Sequence, residues 1–416
     1  MTDDSTTSGQ RAVRVQDTAW VAAASGWAGL TGLVVMLVAT VVLEETQYTE
    51  FTVFWSLLFW IGGSMNGAQY ESLRATAAAG RAGTGVRILP VMMALSAGVA
   101  LALLLVLPWS GALFDTDPVV SGVLVAGSLL LFGGEQAVVG LLNGQGRWRA
   151  GAWVLLLDAT LRFSPFLVLP LLDAAPLAYK VAAASGPLAL VVVLSLRRGR
   201  ALVQVRGDDG ARALASAALH TFASTFATAT FLVGYPVLMG VLLAPEVMKE
   251  PATAGLLFVM SMTRAPLMVP LTAFQGMLIA HFVRRGVVRS AALRVVGLVV
   301  LVGSVLSAVL GLVGPPLLRL HSKDAFHLHG GTVALLALGA TAIGVIAVTG
   351  NITLAAKRHR WYTAGWAVAI AVAVAVLVAP GALQTRVVVS LVVGPLCGAV
   401  VHVVGLRPRV SPTGVS

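Results

Sequence analysis

Four charged side chains fall inside long apolar runs: Glu135, Asp158, Arg162 and Arg264. An ionisable group near the centre of a bilayer costs at least ~2.5–3.5 kcal/mol to insert, so it normally faces a bundle interior or a water-filled path. Arg264, in MTRAPLMVP, stands about eleven residues into its run, roughly 16 Å deep, with Pro266 and Pro270 behind it. Proline in a span frees carbonyls and bends the helix, which is tolerated where a neighbour or a cavity satisfies them again. Such a guanidinium can receive an anionic group, its planar fork suiting phosphate oxygens. It can also pair with an acid of another span purely for assembly.

Asp158 and Arg162 are four residues apart, one helical turn, so the pair can neutralise itself. Glu135 reaches a similar depth on the preceding helix. Two acids around one Arg over-supply negative charge, and one of them is expected to take up a proton. The same three residues can instead form a static cluster holding two helices together. Glu71 and Arg74, in GAQYESLRA at the inner end of a span, either line the inward mouth of a path or simply face water. His220 and His281 read as packing or interface residues. The candidates are therefore Arg264, Arg162, Arg74 and Glu71 for binding, and Glu135 and Asp158 for ion or proton coupling.

Enzymatic signals are missing. There is no GxxxxGK followed by Ser or Thr, no HExxH and no nucleophile motif in a plausible setting. The single cysteine, Cys397, lies in an apolar run, which leaves no disulfide framework and no metal-ligand spacing. No catalytic residue, metal or cofactor is expected.

The elements that must position these charges are membrane helices. The chain is 58% hydrophobic and 11% charged, far from the ~25% charged residues of a soluble domain. Apolar runs long enough to cross about 30 Å of hydrocarbon recur throughout. Twelve spans are read, at 20–43, 51–70, 87–108, 119–142, 150–172, 178–196, 215–243, 254–283, 290–318, 328–351, 361–380 and 386–406. With the N-terminus inside, 21 Lys/Arg fall on the cytoplasmic side and five outside. The positive-inside rule then sets a multi-pass plasma-membrane protein with both termini cytoplasmic. Because the net charge of +11 is spread between spans, it orients the chain rather than binding nucleic acid.

RWRAGAW at 147–153 and RWYTAGW at 360–366 match with the same Trp-to-Trp spacing, six spans apart and in the same orientation. An even shift gives parallel repeats about an axis along the membrane normal. The expected organisation is a cytoplasmic tail 1–19, an N-lobe 20–199 of spans 1–6, a linker 200–212, a C-lobe 213–406 of spans 7–12, and a tail 407–416, all α-helical, with a substrate path between the two six-helix lobes.

FWSLLFWIGGSMNGAQYESLRA, GLLNGQGRWRAGAWVLLLDATLRF and MTRAPLMVPLTAFQGMLIAHF resemble the oligosaccharide/polysaccharide (O-antigen type) flippases of the multidrug/oligosaccharidyl-lipid/polysaccharide exporter superfamily. The resemblance implies a V-shaped alternating-access carrier moving undecaprenyl-pyrophosphate-linked saccharides across the plasma membrane. Membrane lipids, and glycan polymerases or glycosyltransferases, are the implied partners. It also implies a cationic central cavity, with Arg264 at the matching position, and it places Glu71 and Arg74 in the family's acidic-then-basic end of span 2. A drug or cation exporter of the same superfamily, a major-facilitator carrier, and a non-transporting scaffold for envelope glycan assembly are the competing readings.

Overall fold

The structure is a computed structural model that describes residues 15–79, 83–106, 113–264, 289–322, 328–356 and 358–406. The described chain is helical, with one isolated β-bridge, between Arg87 and Arg206. In order the elements are α1 (Val15–Val42), α2 (Glu45–Ser64), α3 (Asn66–Ala79), α4 (Ile88–Leu105), α5 (Pro118–Gly144), α6 (Trp148–Phe163) and α7 (Pro165–Val168). They continue with α8 (Pro176–Ala184), α9 (Leu188–Ser195), α10 (Arg197–Arg200), α11 (Ala211–Ala229), α12 (Tyr235–Leu242) and α13 (Pro245–Met248). The last are α14 (251–264), α15 (Arg289–Ser322), α16 (Gly330–Ala355), α17 (His359–Val378) and α18 (Leu383–Gly405). Nine helices among the described residues are long and apolar enough to cross a membrane, and the bent pair α8–α9 makes a tenth. The protein is a multi-pass membrane protein.

Two of the twelve expected spans are not among these ten, for different reasons. The second span starts earlier than its hydropathy suggests, taking in Glu45 and Glu50, and it breaks after Gly62–Gly63–Ser64, weak helix formers, before α3 resumes. The eighth is described only to Arg264, so Pro266, Pro270 and His281 lie outside the described residues, as do the tails 1–14 and 407–416. The sixth span is bent by 47° between α8 and α9, at Ser185–Gly186–Pro187. Proline cannot donate to the ladder and disfavours helix in the residue before it.

The described contacts fall into two compact units: Met1–Val35, Ile61–Ser110 and Thr116–Thr225 form one, and Met36–Trp60, Gly111–Asp115 and Phe226–Ser416 the other. Within the first, α5 packs on α3, α4, α6, α8 and α9. Small residues allow this closeness. A Cβ added at Gly133 would sit 2.8 Å from Ser96 Cβ, one at Gly140 2.8 Å from Ser72 Cβ, and one at Gly144 2.8 Å from the Leu73 carbonyl oxygen. Lipid offers no hydrophobic gain for helix association, so such small-residue contacts and interhelical hydrogen bonds carry it. Ile88, Leu89, Met92, Val138, Val139, Leu141 and Leu142 close the core around them.

In the second unit α16 packs on α15 and α18, and α17 on α18. Leu293, Leu298, Leu301 and Leu312 of α15 are exposed, as residues facing acyl chains would be.

The two junctions paired by sequence share a backbone path. Arg147 precedes α6 with φ −95° and ψ 50°, and Arg358 precedes α17 with φ −98° and ψ 54°. Each N–H donates five residues back, Arg147 to Leu142 at 2.8 Å and Arg358 to Thr353 at 3.0 Å. The structural pairing is therefore two residues out of register with the Trp pairing. The tryptophans differ accordingly: Trp153 is 59% exposed with its ring 5.7 Å from that of Trp20, whereas Trp366 is 1% exposed.

Candidate functional site

The Arg264 site begins with a proline. The helix through α11 and α12 contains a π-turn at Thr230–Gly234, followed by Pro236. Pro236 has no N–H for the carbonyl four residues before it, that of Leu232. Arg264, the last described residue of α14, fills the vacancy: its Nη1 donates to the Leu232 oxygen at 3.2 Å. The guanidinium carbon lies 5.8 Å from the Tyr235 ring centroid, within cation–π range. Tyr235 is fixed in turn by a hydroxyl contact to Ser390 of α18.

Arg264 is only 7% exposed, and its Nη2 finds no hydrogen-bond partner among the described residues. No acid pairs with it there. The composition nearby agrees, because after Glu250 the chain has 13 Lys/Arg and a single acid, Asp324. A buried planar cation with a free donor edge and no counter-charge is suited to a bidentate oxyanion.

Glu135, Asp158 and Arg162 meet inside the first unit. Arg162 Nη2 bonds Asp158 Oδ1 at 2.7 Å and Oδ2 at 3.1 Å. Its Nη1 donates to the Ala183 carbonyl, one of the carbonyls freed at the end of α8 by the break. Ser185 Oγ bridges the same break to the Leu161 carbonyl at 3.0 Å. Gly186 lies directly over the ion pair, since a Cβ there would stand 2.7 Å from Arg162 Cζ. Arg162 thus caps a broken span. Glu135 is fully buried, Asp158 and Arg162 both act on it electrostatically, and neither of its oxygens has a hydrogen-bond partner of good geometry among the described residues.

Glu71 and Arg74 belong to a clasp on α3. Arg74 Nε bonds Glu71 Oε2 at 2.7 Å, and its Nη2 bonds Asp209 Oδ2 at 2.9 Å. These two bonds, Glu71 first, hold the Arg74 guanidinium in its charged form more firmly than usual. Thr221 Oγ1 donates to Glu71 at 3.3 Å, and Thr225 Oγ1 donates at 2.8 Å to the Ser64 carbonyl at the break between α2 and α3. The expected linker is stitched down as well. Ile88 N–H donates to Val205 at 3.1 Å, Gly207 N–H to Val86 at 3.0 Å and Gly85 N–H to Gly207 at 2.7 Å. Arg74 remains half exposed, while His220 is exposed on α11.

Sequence reading missed two polar sites. His402 is fully buried, with Nδ1 3.2 Å from Thr349 Oγ1 and Nε2 3.0 Å from the Tyr362 carbonyl oxygen. Tyr362 stacks on its ring and reaches Thr228 through its hydroxyl at 3.2 Å. The available signal was the set Gly350, Gly365 and Gly398, where a Cβ would crowd that ring, its Tyr362 partner or the helix beside it. Lys180 is buried and donates to Ser121 Oγ at 3.0 Å and the Thr116 carbonyl at 3.2 Å.

No family model matches the chain. It is similar to the uncharacterized protein Rv1510 of Mycobacterium tuberculosis, 31% identical over 392 residues that span 91% of this chain and 90% of the relative. It is similar also to the uncharacterized protein Mb3654 of Mycobacterium bovis, 30% identical over 396 residues, 93% and 91% of the two chains. Among solved structures, an inward-facing multidrug resistance MATE family transporter of the MOP superfamily matches with TM-score 0.69 at 12% identity, over 91% and 93% of the chains. A MOP superfamily transporter from Pyrococcus furiosus, described by the reverse polarity of its binding pocket, matches with TM-score 0.58 at 13% identity, over 94% of both.

Proposed function

Because this chain belongs to the family of the mycobacterial proteins Rv1510 and Mb3654 and has the fold of MATE-type transporters, we propose that it is a membrane carrier for an anionic lipid-linked substrate. The substrate fitting best is an undecaprenyl-pyrophosphate-linked saccharide, flipped across the plasma membrane for polysaccharide assembly. One observation carries this reading: Arg264 is buried with no acid partner among the described residues and with one amino group unengaged. A pyrophosphate supplies both the missing charge and the missing acceptors. No bond need be broken. The protein shelters a charged head group while the lipid tail stays in the bilayer, handing the product to glycan-assembling enzymes outside.

In this scheme the four binding candidates divide. Arg264 takes the head group. Arg74, half exposed at the inner end, meets it on arrival while Glu71 orients the guanidinium. Arg162, whose donors go to Asp158 and Ala183, keeps the broken sixth span in shape. Glu135 and Asp158 serve proton coupling.

A multidrug cation exporter is the second reading, and the buried Glu135 with Asp158 beside it favours it, since a cation carrier needs negative charge on its path. Deletion of the gene with analysis of lipid-linked saccharides separates the two. Accumulation of a completed intermediate on the inner leaflet is expected. A normal lipid-linked pool with altered drug tolerance would move the assignment to the exporter.

A further inference from the structure

His402 is a buried titratable group that the transport scheme leaves unused, and the hydrogens around its ring can be counted. Nε2 lies 3.0 Å from the Tyr362 carbonyl oxygen, which only accepts, so this nitrogen carries a hydrogen. On the other side Nδ1 stands 3.2 Å from Thr349 Oγ1, and the Ile346 carbonyl, which also reaches the ring, lies 3.1 Å from that same hydroxyl. The Thr349 hydroxyl has one hydrogen and three acceptors for it: the Val345 carbonyl at 2.9 Å, the Ile346 carbonyl and Nδ1. With the hydrogen on Nδ1 the ring is a neutral, fully bonded imidazole. With it turned back to Val345, oxygen lone pairs face Nδ1, and a protonated Nδ1 satisfies them. One hydroxyl rotation thus converts a seat for imidazole into a seat for imidazolium.

Among the described residues, no charged side chain faces the ring from the helices packed on α18. Helix α16 contains no titratable residue. From α17 the group against the ring is Tyr362, while Arg360 is exposed at its start and Arg358 half-buried before it. On α18 itself Arg386 is about 24 Å away along the helix, and Cys397 is five residues back. Intramembrane ionisable groups held by backbone carbonyls mark proton and ion routes.

We infer that His402 is a second proton site of the carrier, switched by rotation of the Thr349 hydroxyl and linked to the anion site at Arg264. The link is a chain of contacts. Tyr362 stacks on the imidazole with ring centroids 5.9 Å apart, and its hydroxyl meets that of Thr228 at 3.2 Å. Two residues further on begins the π-turn whose Leu232 carbonyl holds Arg264. The link, though not the proton site, rests on the reading of Arg264 as the anion site. A bound anion favours added positive charge in the same unit, and such coupling is reciprocal: the anion draws a proton onto His402, and that proton tightens the anion.

The test is nitrogen NMR of the full chain in lipid bilayers, labelled at the histidine ring nitrogens. The seven histidine signals are assigned by the one missing in His402→Gln, or, if that variant does not fold, in a chain whose other six histidines are replaced by Gln. Between pH 8 and pH 5 the His402 Nδ1 signal should pass from the unprotonated to the protonated position while Nε2 stays protonated throughout. An Nδ1 that remains unprotonated down to pH 5, or a neutral ring carrying its hydrogen on Nδ1, makes His402 a packing residue and overturns the proton site. Calorimetry with inorganic pyrophosphate reads the link. Because pyrophosphate titrates in this range itself, the measure is wild type against His402→Gln, or against His402→Asn. The gain in affinity on acidification should be about fivefold larger in the wild type, the lower end of ordinary coupling between sites. Equal gains overturn the link and leave the proton site standing. Failure of pyrophosphate to bind either protein overturns the anion site, and the NMR titration then decides the proton site by itself.

Discussion

Gly186 has room for a hydrogen and nothing larger, because the Asp158–Arg162 pair lies against it. Gly186→Ala should lower stability by about 1–3 kcal/mol, as overpacking of a tight interior does, read as a fall in the detergent melting midpoint. A midpoint unchanged within error would mean that the break is not held by this pair. The charges themselves were legible in the sequence, since each interrupts an apolar run, and the four-residue spacing of Asp158 and Arg162 revealed their pairing. Their partners were not legible. The Ala183 carbonyl is 21 residues from Arg162, and nothing in local patterning says which helix end a guanidinium will cap. The Leu232–Pro236 relation is different: a proline announces a free carbonyl four residues earlier, although not who will fill it.

Helix α5 shows what small residues do for packing. Gly140 faces the backbone of α3, and a Cβ there would stand 3.0 Å from the Gln69 carbonyl carbon. Gly140→Val should force the two helices apart and cost more than about 3 kcal/mol, visible as loss of a monodisperse peak on extraction. Gly98→Ala in α4, where a Cβ meets nothing within 4 Å, should be neutral or stabilising by up to about 1 kcal/mol. Equal behaviour of the two would refute the packing argument. Hydropathy located the helices well because span length is a property of composition. It placed the breaks poorly, at Ser64 and Gly186, because a run stays apolar across a bend. Gly186–Pro187 carried a readable signal. The break at Ser64 depends on Thr225, more than 150 residues away, and could not be read locally.

Over the whole molecule, the distribution of Lys and Arg predicts which side each connection faces. In a chain with Cys397 replaced by Ser, an impermeant maleimide added to intact cells should label Glu250→Cys and spare Arg198→Cys until the membrane is opened. The reverse pattern would invert the topology. The repeat was legible from two tryptophans, yet the structure pairs the junctions two residues out of step, because the shared feature is the backbone turn at Arg147 and Arg358.

One consequence follows from Arg264 lacking a counter-acid among the described residues. An empty site of this kind is net positive, and occupancy by a dianion makes it net negative. A transmembrane voltage acts on the two with opposite sign, by about 2.3 kcal/mol per elementary charge for each 100 mV crossed in full. An interior-negative cell thus draws the empty site inward and drives the loaded one outward, so voltage alone rectifies the cycle. Turnover in proteoliposomes should rise with an interior-negative potassium diffusion potential and fall when valinomycin clamps it to the opposite polarity. Indifference to that polarity would mean the site is electrically neutral in both states.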